Sequence, residues 1–280
     1  MTKLMDQTAI DKGMAPVPEG EFIMGTSDEE ARKVLHLHPK ASLRWLKDEM
    51  PQRTVYLESY SIGIYPVTNK QFEEFVKRTR YKTRNILARF LGFDLPKPWR
   101  AFSGNTTQDH PVIGVSSYDA VAYCKWLSEV SGRSFRLPTE AEWEKAARGT
   151  DGRIWPWGNE WDPSNCHCSY SRGAKGTVAV QDHPQGVSPY GCFGMIGNVW
   201  EWCSDFYDKR YYDSAPSSNP RGGRYGNFRS IRGGAWWTTG LTDLRCAGRS
   251  RLEPENYAFF SNVMDRNWGR PLTGFRVACT

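Results

Sequence analysis

The residue in this sequence whose setting most needs a chemical explanation is Glu201, which lies between two tryptophans in the stretch GNVWEWC. In an extended strand, successive side chains point to opposite faces, so Trp200 and Trp202 would share one face and Glu201 would point to the other. A carboxylate enclosed in a folded protein needs a partner, because an unpaired buried charge is costly. Arg232 and Arg276 are candidates for a salt bridge with it.

The cysteines and histidines do not form a familiar metal-binding motif. There are seven cysteines, an odd number, and no CxxC pair among them. Cys166 and Cys168 flank His167, a spacing too tight for an ordinary zinc site, so buried thiols are expected there. His36 and His38 adjoin a helical pattern, in which residues two apart do not share a face, so we interpret them as solvated surface residues.

The composition indicates a folded domain with a sizeable core. Apolar residues make up 39% of the 280 residues and aromatic residues 14%, which is enough to fold without disulfides or a structural metal. We expect a single domain over residues 1–280, with a flexible N-terminus over residues 1–13, because no linker-like stretch divides the chain.

The charge and hydropathy patterns argue against two classes of partner. The net charge is +6, but the lysines and arginines are scattered and form no block or stripe, so nucleic-acid binding is not expected. No apolar run approaches the roughly 18 residues of a membrane helix, and the first residues lack the apolar core of a signal peptide. Membrane insertion is therefore not expected, and the cytoplasm is the default compartment.

The elements that would position these residues differ between the two halves of the chain. Residues 14–25 have the alternation and turn residues of an opening strand or hairpin. Three helices are predicted by capping boxes, in which a hydroxyl caps the first turn and an acid or amide three residues on reaches back: Thr68 with Gln71, Ser116 with Asp119, and Thr139 with Glu142. After residue 149 short strands in long ordered loops are predicted, at 199–202, 229–232 and 274–278.

Eight motifs follow one another in an order that carries a family resemblance. They are APVPEGEF at 15–22 with MG at 24–25, YPVTN at 65–69, HPV at 110–112, VSSYDAVAYC at 115–124, RLPTEAEWE at 136–144, GNVWEW at 197–202, RGGAW at 232–236 and GFR at 274–276. This series resembles the formylglycine-generating enzyme family, also called the sulfatase-modifying-factor family, over nearly the whole chain. The resemblance implies an α+β fold, a variant of the C-type-lectin-like fold, with a small twisted antiparallel sheet, flanking helices and extensive ordered coil.

The resemblance also implies calcium sites. Glu201 is similar to a family calcium ligand that is assisted by backbone carbonyls at the positions of Gly197 and Val199, a donor set that suits calcium. The position three residues before Gly197 is Gly194, where family members have Asp or Asn. Asn165 resembles a ligand of a second calcium site, but the loop that follows it offers no acid. Calcium and an arginine therefore stay open as alternative partners of Glu201.

The resemblance implies an oxidase that holds copper with two thiols set five apart, shortly after the Gly-Gly motif, because thiolates bind soft Cu(I). Neither thiol is present here: the segment 233–246 contains only Cys246, which aligns with a separate family cysteine. Copper and formylglycine generation are therefore not expected. A related branch of sulfoxide synthases binds iron through an additional helical domain, for which residues 1–13 are too short. Iron held by this chain alone is not excluded and would draw on His36, His38, His110, His167 and His183.

The C-terminal loops are the predicted binding surface. From residue 235 to 273 the chain mixes aromatic and small polar residues, as recognition surfaces do. The candidate ligand-binding residues are Trp236, Trp237, Thr239, Leu241, Asp243, Arg249, Asn256, Tyr257, Phe259, Phe260 and Trp268. The alternative is that aromatic residues such as Phe259, Phe260 and Trp268 close the core under a long insertion.

The leading hypothesis is a protein- or peptide-binding module that lacks the thiol pair. It would serve as a subunit of a larger assembly or as a variable protein, similar to the variable proteins of diversity-generating retroelements. The competing hypothesis is an oxidoreductase that acts on a peptide or small aromatic substrate without thiol chemistry, like a family branch of siderophore-maturation oxidases. The sequence leaves the ligand and the oligomeric state open.

Overall fold

A computed structural model describes residues 7–82, 108–171, 175–223, 225–254 and 273–280. The helices in these ranges are α1 (Gln7–Lys12), α2 (Asp28–Leu37), α3 (Asn69–Thr79), α4 (Ser117–Ser131) and α5 (Glu140–Arg148). The strands are β1 (Met14–Val17), β2 (Gly20–Met24), β3 (Arg53–Leu57), β4 (Tyr60–Gly63), β5 (Phe135–Arg136), β6 (Trp200–Phe206), β7 (Arg229–Arg232), β8 (Arg249–Leu252), β9 (Thr273–Gly274) and β10 (Ala278–Cys279). None of the described helices is long and apolar enough to cross a lipid bilayer.

The described strands form three small sheets that join distant parts of the chain. The first has the order β1-β4-β10-β5 and is antiparallel throughout, so it joins the first strand to the last. The second pairs β2 with β3, and the third has the order β8-β7-β6-β9, in which only β6 and β9 run parallel. The α+β prediction is confirmed, while the opening stretch 14–25 is two strands that belong to different sheets.

The three predicted capping boxes are all present. The side chains of Thr68, Ser116 and Thr139 each accept a hydrogen bond from the backbone N–H three residues on, and the residue at that position returns a bond to the cap. Such a cap stabilises a helix by about 1 kcal/mol. The start of each of these helices is therefore fixed by the local sequence.

Strand β6 is buried on both faces. Trp200 and Trp202 belong to a core cluster with aromatic residues of α3 and α4, whereas Cys203 belongs to a second cluster with Trp143 of α5. Glu201 is fully buried. The predicted alternation, which separates the two indoles from the carboxylate, is confirmed.

The prediction of one continuous strand over 274–278 is wrong. This segment consists of β9 and β10, which lie in different sheets and are separated by three residues that include Arg276. The Arg276 guanidinium donates hydrogen bonds to the carbonyl oxygens of Gly63 at 2.9 Å and Phe193 at 2.8 Å. The chain leaves one sheet and joins another at these three residues. The Arg276 side chain bonds to the backbone of β4 and to the backbone of the segment that precedes β6.

The N-terminal segment that was expected to be flexible, 1–13, is described from residue 7. Residues Gln7–Lys12 form α1, and Ile10 packs against the core. Asp11 forms a salt bridge with Arg133, with 2.5 Å between Oδ1 and Nη1. The described part of this segment therefore has tertiary contacts.

Candidate functional site

Glu201 is paired with an arginine. The Nε and Nη2 atoms of Arg276 donate to the two carboxylate oxygens at 2.6 and 2.8 Å. The indole Nε1 of Trp143 donates to Oε2 of the same carboxylate at 2.9 Å. Both ionic side chains are fully buried, and a two-pronged contact of this kind is the strong form of an arginine–carboxylate pair. The salt-bridge alternative is confirmed, with Arg276 as the partner instead of Arg232.

The predicted calcium site at Glu201 does not fit this geometry. Both carboxylate oxygens already accept hydrogen bonds, and a cation there would lie against the Arg276 guanidinium. The carbonyl of Gly197 accepts the N–H of Val199 at 2.8 Å. Asn165 ends a 3₁₀ turn at Pro163–Asn165. Within the described ranges no group of three or more His, Cys, Asp or Glu side chains could hold a metal ion.

The histidines do not supply an iron site either. His36 is exposed near the end of α2, and His38 caps that helix. The rings of His167 and His183 stack 5.9 Å apart, and each places one ring nitrogen 2.9 Å from a backbone carbonyl oxygen. His110 places Nδ1 2.9 Å from a threonine hydroxyl, and burial lowers the pKa of His110 and of His167. The iron alternative therefore has no ligand set in the part of the chain that is described.

Arg276 is one of five arginines that are almost completely buried and paired with glutamates. The pairs are Arg148 with Glu144 and Glu30, Arg232 with Glu144, Arg245 with Glu49 and Glu30, Arg249 with Glu140, and Arg276 with Glu201, at N–O distances of 2.5 to 3.2 Å. We call these five arginines and their partners the arginine layer. Two of its members, Arg232 and Arg245, lie at the two ends of the segment 233–243, which we call the Gly-Gly loop.

The ends of the Gly-Gly loop are fixed by this layer. Arg232, the residue before the loop, donates to the carbonyls of Ala247 at 2.8 Å and Gly248 at 2.7 Å as well as to Glu144. Arg245, two residues after the loop, donates through Nη2 to both oxygens of Glu49, at 2.8 and 2.7 Å. Burial raises the pKa of Glu49 to about 7 although Arg245 opposes that shift. Removing Arg245 would leave the buried Glu49 carboxylate without its cation, whereas Glu144 would still pair with Arg148 after removal of Arg232.

The first turn of the loop requires its two glycines. Gly233 and Gly234 have φ angles of 94° and 77°, a region that side chains with a Cβ rarely adopt. A Cβ on Gly233 would lie 2.7 Å from the carbonyl oxygen of Met195. The carbonyl of Gly233 accepts the N–H of Gly197 at 2.8 Å, so the loop starts in contact with the segment that precedes β6.

The middle of the loop is held through its backbone. The N–H of Ala235 donates to Oγ1 of Thr238 at 2.9 Å, which closes a turn. The Ser169 hydroxyl donates to the carbonyl of Thr238 at 2.6 Å, and the Tyr170 hydroxyl donates to the carbonyl of Thr239 at 2.5 Å. Sequence reasoning missed Ser169 and Tyr170, since only the tertiary structure brings them to a segment about 70 residues away.

Four of the predicted ligand-binding residues are accessible in the loop. Trp236 and Trp237 are half-buried and pack against the core, and Thr239 is exposed. Asp243 is half-buried, and burial raises its pKa to about 6. Together they present two indoles beside small polar groups.

The remaining predictions for the ligand surface divide into two groups. Leu241 is 3% exposed and lies in the core, so its proposed contact with a ligand is corrected. Arg249 is corrected as well: it is 6% exposed, pairs with Glu140, and stacks on the ring of Tyr212 with 4.6 Å between the guanidinium carbon and the ring centroid. Five predicted residues lie outside the described residues: Asn256, Tyr257, Phe259, Phe260 and Trp268.

Comparisons with known proteins agree with the motif order. The model of the sulfatase-modifying factor enzyme 1-like domain matches residues 2–278. The chain belongs to this family. It is 30% identical to the formylglycine-generating enzyme of Bos taurus over 290 residues, covering 88% of this chain and 72% of that protein. It is 31% identical to the inactive C-alpha-formylglycine-generating enzyme 2 of Mus musculus over 270 residues, covering 82% and 76%.

A solved structure of the same architecture supports the fold. PvdO from Pseudomonas aeruginosa superposes with a TM-score of 0.71 at 25% identity, covering 95% of this chain and 93% of PvdO. Family membership and the fold are therefore established over nearly the whole chain. The relatives include a protein named formylglycine-generating enzyme and one named inactive, so family membership alone assigns no chemistry to the Gly-Gly loop.

Proposed function

We propose that this member of the formylglycine-generating enzyme family binds a protein or peptide through the surface of its Gly-Gly loop and does not oxidise cysteine by a copper-thiolate route. The proposal rests on the composition and the hydrogen bonding of this loop. The loop contains no cysteine, and two of its backbone carbonyls accept hydrogen bonds from Ser169 and Tyr170. Trp236, Trp237 and Thr239 keep accessible surface.

The energetics of recognition support this assignment. A ligand that meets an ordered loop loses less of its binding free energy to the ordering of that loop. Tryptophan side chains supply large rigid contact area at low entropic cost, and threonine adds adaptable hydrogen bonding. In the Gly-Gly loop, hydrogen bonds from Ser169 and Tyr170 hold the backbone, while Trp236, Trp237 and Thr239 keep part of their surface accessible.

The family context supports a binding role too. The mouse relative at 31% identity is named inactive, so a member of this family can keep the domain without the activity. A peptide is favoured over a small molecule as the ligand, because the resemblance to the family implies a scaffold that holds extended peptides. The partner would be a subunit of a larger assembly or the target of a variable recognition surface.

The test is selection of binders from a phage-displayed random peptide library on the full-length protein. Thr239→Arg adds bulk and charge at an exposed position of the loop, and Thr54→Arg makes the same change at an exposed position on β3. We expect Thr239→Arg to abolish enrichment and Thr54→Arg to preserve it. Trp237→Ala should weaken the selected peptides by about 1–4 kcal/mol, as a hot-spot residue does.

Two outcomes would contradict the proposal. Peptides that bind Thr239→Arg as well as the native protein would place the site elsewhere. Oxygen consumption with a cysteine- or tyrosine-containing peptide, lost in Trp237→Ala, would instead favour the oxidoreductase hypothesis.

A further inference from the structure

Two of the seven cysteines lie in contact with each other. Cys166 and Cys168 are separated by one residue, and the backbone at Cys166 is extended, so their side chains share one side of the chain. The thiol of Cys166 donates to Sγ of Cys168 at 3.7 Å. Both side chains are buried, with 2% and 0% of their surface exposed. Neither takes part in the arginine layer or in the hydrogen bonds of the Gly-Gly loop.

The contact makes Cys168 chemically different from the other thiols. The hydrogen bond from Cys166 lowers the pKa of Cys168 to about 6. Burial instead raises the pKa of Cys124 to about 12, and it raises the pKa of the remaining cysteines outside the pair in the same direction: Cys192, Cys203, Cys246 and Cys279. A thiolate next to a second thiol is the arrangement from which a disulfide forms.

We propose that Cys166 and Cys168 are a peroxide-sensitive pair that closes into a reversible disulfide. In the first step the Cys168 thiolate attacks one oxygen of hydrogen peroxide, the O–O bond breaks, and the other oxygen leaves as water after taking up a proton. In the second step the Cys166 sulfur attacks the Cys168 sulfenic acid, the S–O bond breaks, and the hydroxyl leaves as water with the Cys166 proton. Two thiols are oxidised by two electrons, and one peroxide is reduced to two waters.

The geometry requires only a small rearrangement. The two sulfurs must approach by roughly 1.7 Å to reach the S–S bond length of about 2.05 Å. The backbone between them is already held in a tight loop, because the Cys168 N–H donates to Oγ of Ser171 at 3.0 Å and that hydroxyl donates to the carbonyl of Cys166 at 2.8 Å. The second thiol is therefore in place before the oxidant arrives.

The surroundings select a small oxidant. Cys166 lines a cleft with room for about one water-sized molecule, and His167 and His183 line the same cleft. An oxidant must therefore be small to reach the thiol pair, and the disulfide of another protein cannot contact Sγ of Cys168, which has no exposed surface. The oxidised form would be reduced again by a small dithiol.

The pair is also connected to the Gly-Gly loop. Ser169 and Tyr170 directly follow Cys168, and their hydroxyls hold the carbonyls of Thr238 and Thr239. Closing the disulfide pulls on this short segment and so shifts two anchors of the loop. This connection to ligand binding rests on the proposed function, whereas formation of the disulfide does not.

The test is thiol mapping of the full-length protein. Native protein is treated with hydrogen peroxide, denatured, alkylated and mapped by mass spectrometry. We expect the peptide with Cys166 and Cys168 to lose two hydrogens and escape alkylation, while the other five cysteines are alkylated. Dithiothreitol should reverse the change.

Cys166→Ser should trap Cys168 as a sulfenic acid that dimedone labels at least about tenfold more than it labels Cys166 in Cys168→Ser. Cys192→Ser, a matched change at another buried thiol, should behave like the native protein.

The possible results test disulfide formation and its effect on the Gly-Gly loop separately. Full alkylation of Cys166 and Cys168 after peroxide, or oxidation at the same rate as the other five cysteines, overturns the disulfide. A disulfide that changes the affinity for a library-selected peptide, with recovery on reduction, supports the connection to the loop. A disulfide with unchanged peptide affinity overturns that connection alone, and failure to select any peptide leaves the thiol mapping as a complete test of the pair.

Discussion

The arginine layer and the Gly-Gly loop are adjacent in the chain but are held by opposite means. In the layer, five buried guanidiniums form ion pairs with five carboxylates and also donate to backbone carbonyls, and little of either group is exposed. In the loop, side chains from another segment bond to the backbone, as Ser169 and Tyr170 do, and the loop's own tryptophans stay partly accessible. Each charge in the layer depends on its partner, whereas the loop can change its accessible side chains and keep its backbone path.

This difference explains how a coil-rich fold can present a variable surface. Long coil has few sheet ladders to fix its course, so buried ion pairs and their bonds to carbonyls take that role, as Arg232 does for Ala247 and Gly248. Buried pairs are costly to desolvate and tolerate no missing partner. A backbone-anchored loop has no such constraint at its surface positions.

The largest effect is expected from breaking the layer. Arg276→Met leaves the Glu201 carboxylate buried and bonded to the Trp143 indole but without its cation, and should lower the free energy of unfolding by about 3–5 kcal/mol. Urea denaturation followed by tryptophan fluorescence measures it. The matched control is Lys33→Met, which breaks the exposed 2.7 Å pair with Glu160 and should cost no more than about 1 kcal/mol. Similar losses of stability in both variants would show that the buried pair contributes no more than the exposed pair.

A pH dependence is expected from a carboxyl group next to the layer. Burial and, to a smaller extent, the nearby Glu140 carboxylate together raise the pKa of Asp205 from its ordinary value of 3.8 to about 7. The folded state therefore binds a proton that the unfolded state has released, so the free energy of unfolding falls as the pH rises from about 4 to about 7. Asp205→Asn keeps an acceptor for the Glu140 N–H and should be more stable than the native protein above pH 7, by on the order of 2 kcal/mol.

Denaturation at pH 5 and at pH 8 tests this prediction. The native protein should lose stability between the two values, and Asp205→Asn should lose less. An equal pH dependence in both proteins would show that Asp205 does not carry it.

The smallest effect is expected in the loop. Tyr170→Phe removes the hydroxyl that donates to the carbonyl of Thr239 and should cost about 1 kcal/mol. The change should be local: hydrogen exchange of amides in 235–242 should accelerate while that of β6 stays constant. Tyr225→Phe is the control, because that side chain is 89% exposed. Faster exchange throughout the protein would mean that the loop is not a separately anchored unit.

Much of the fold followed from local sequence. The capping boxes at Thr68, Ser116 and Thr139 depend on residues three apart, and the alternation at Trp200–Trp202 depends on the period of a strand, so both could be predicted without tertiary information. The order of eight motifs also identified the family, which the match over residues 2–278 confirms.

What the sequence by itself determined about this protein is its family, its α+β class, the capped helices and the need of Glu201 for a partner. The tertiary structure alone decided that the partner is Arg276, that Leu241 and Arg249 are buried, and that Ser169 and Tyr170 anchor a loop about 70 residues away. The physical reason is the range of the interactions involved. Caps and strand alternation are set by neighbours in the chain, whereas the choice among several arginines depends on which one the folded backbone brings within hydrogen-bond distance.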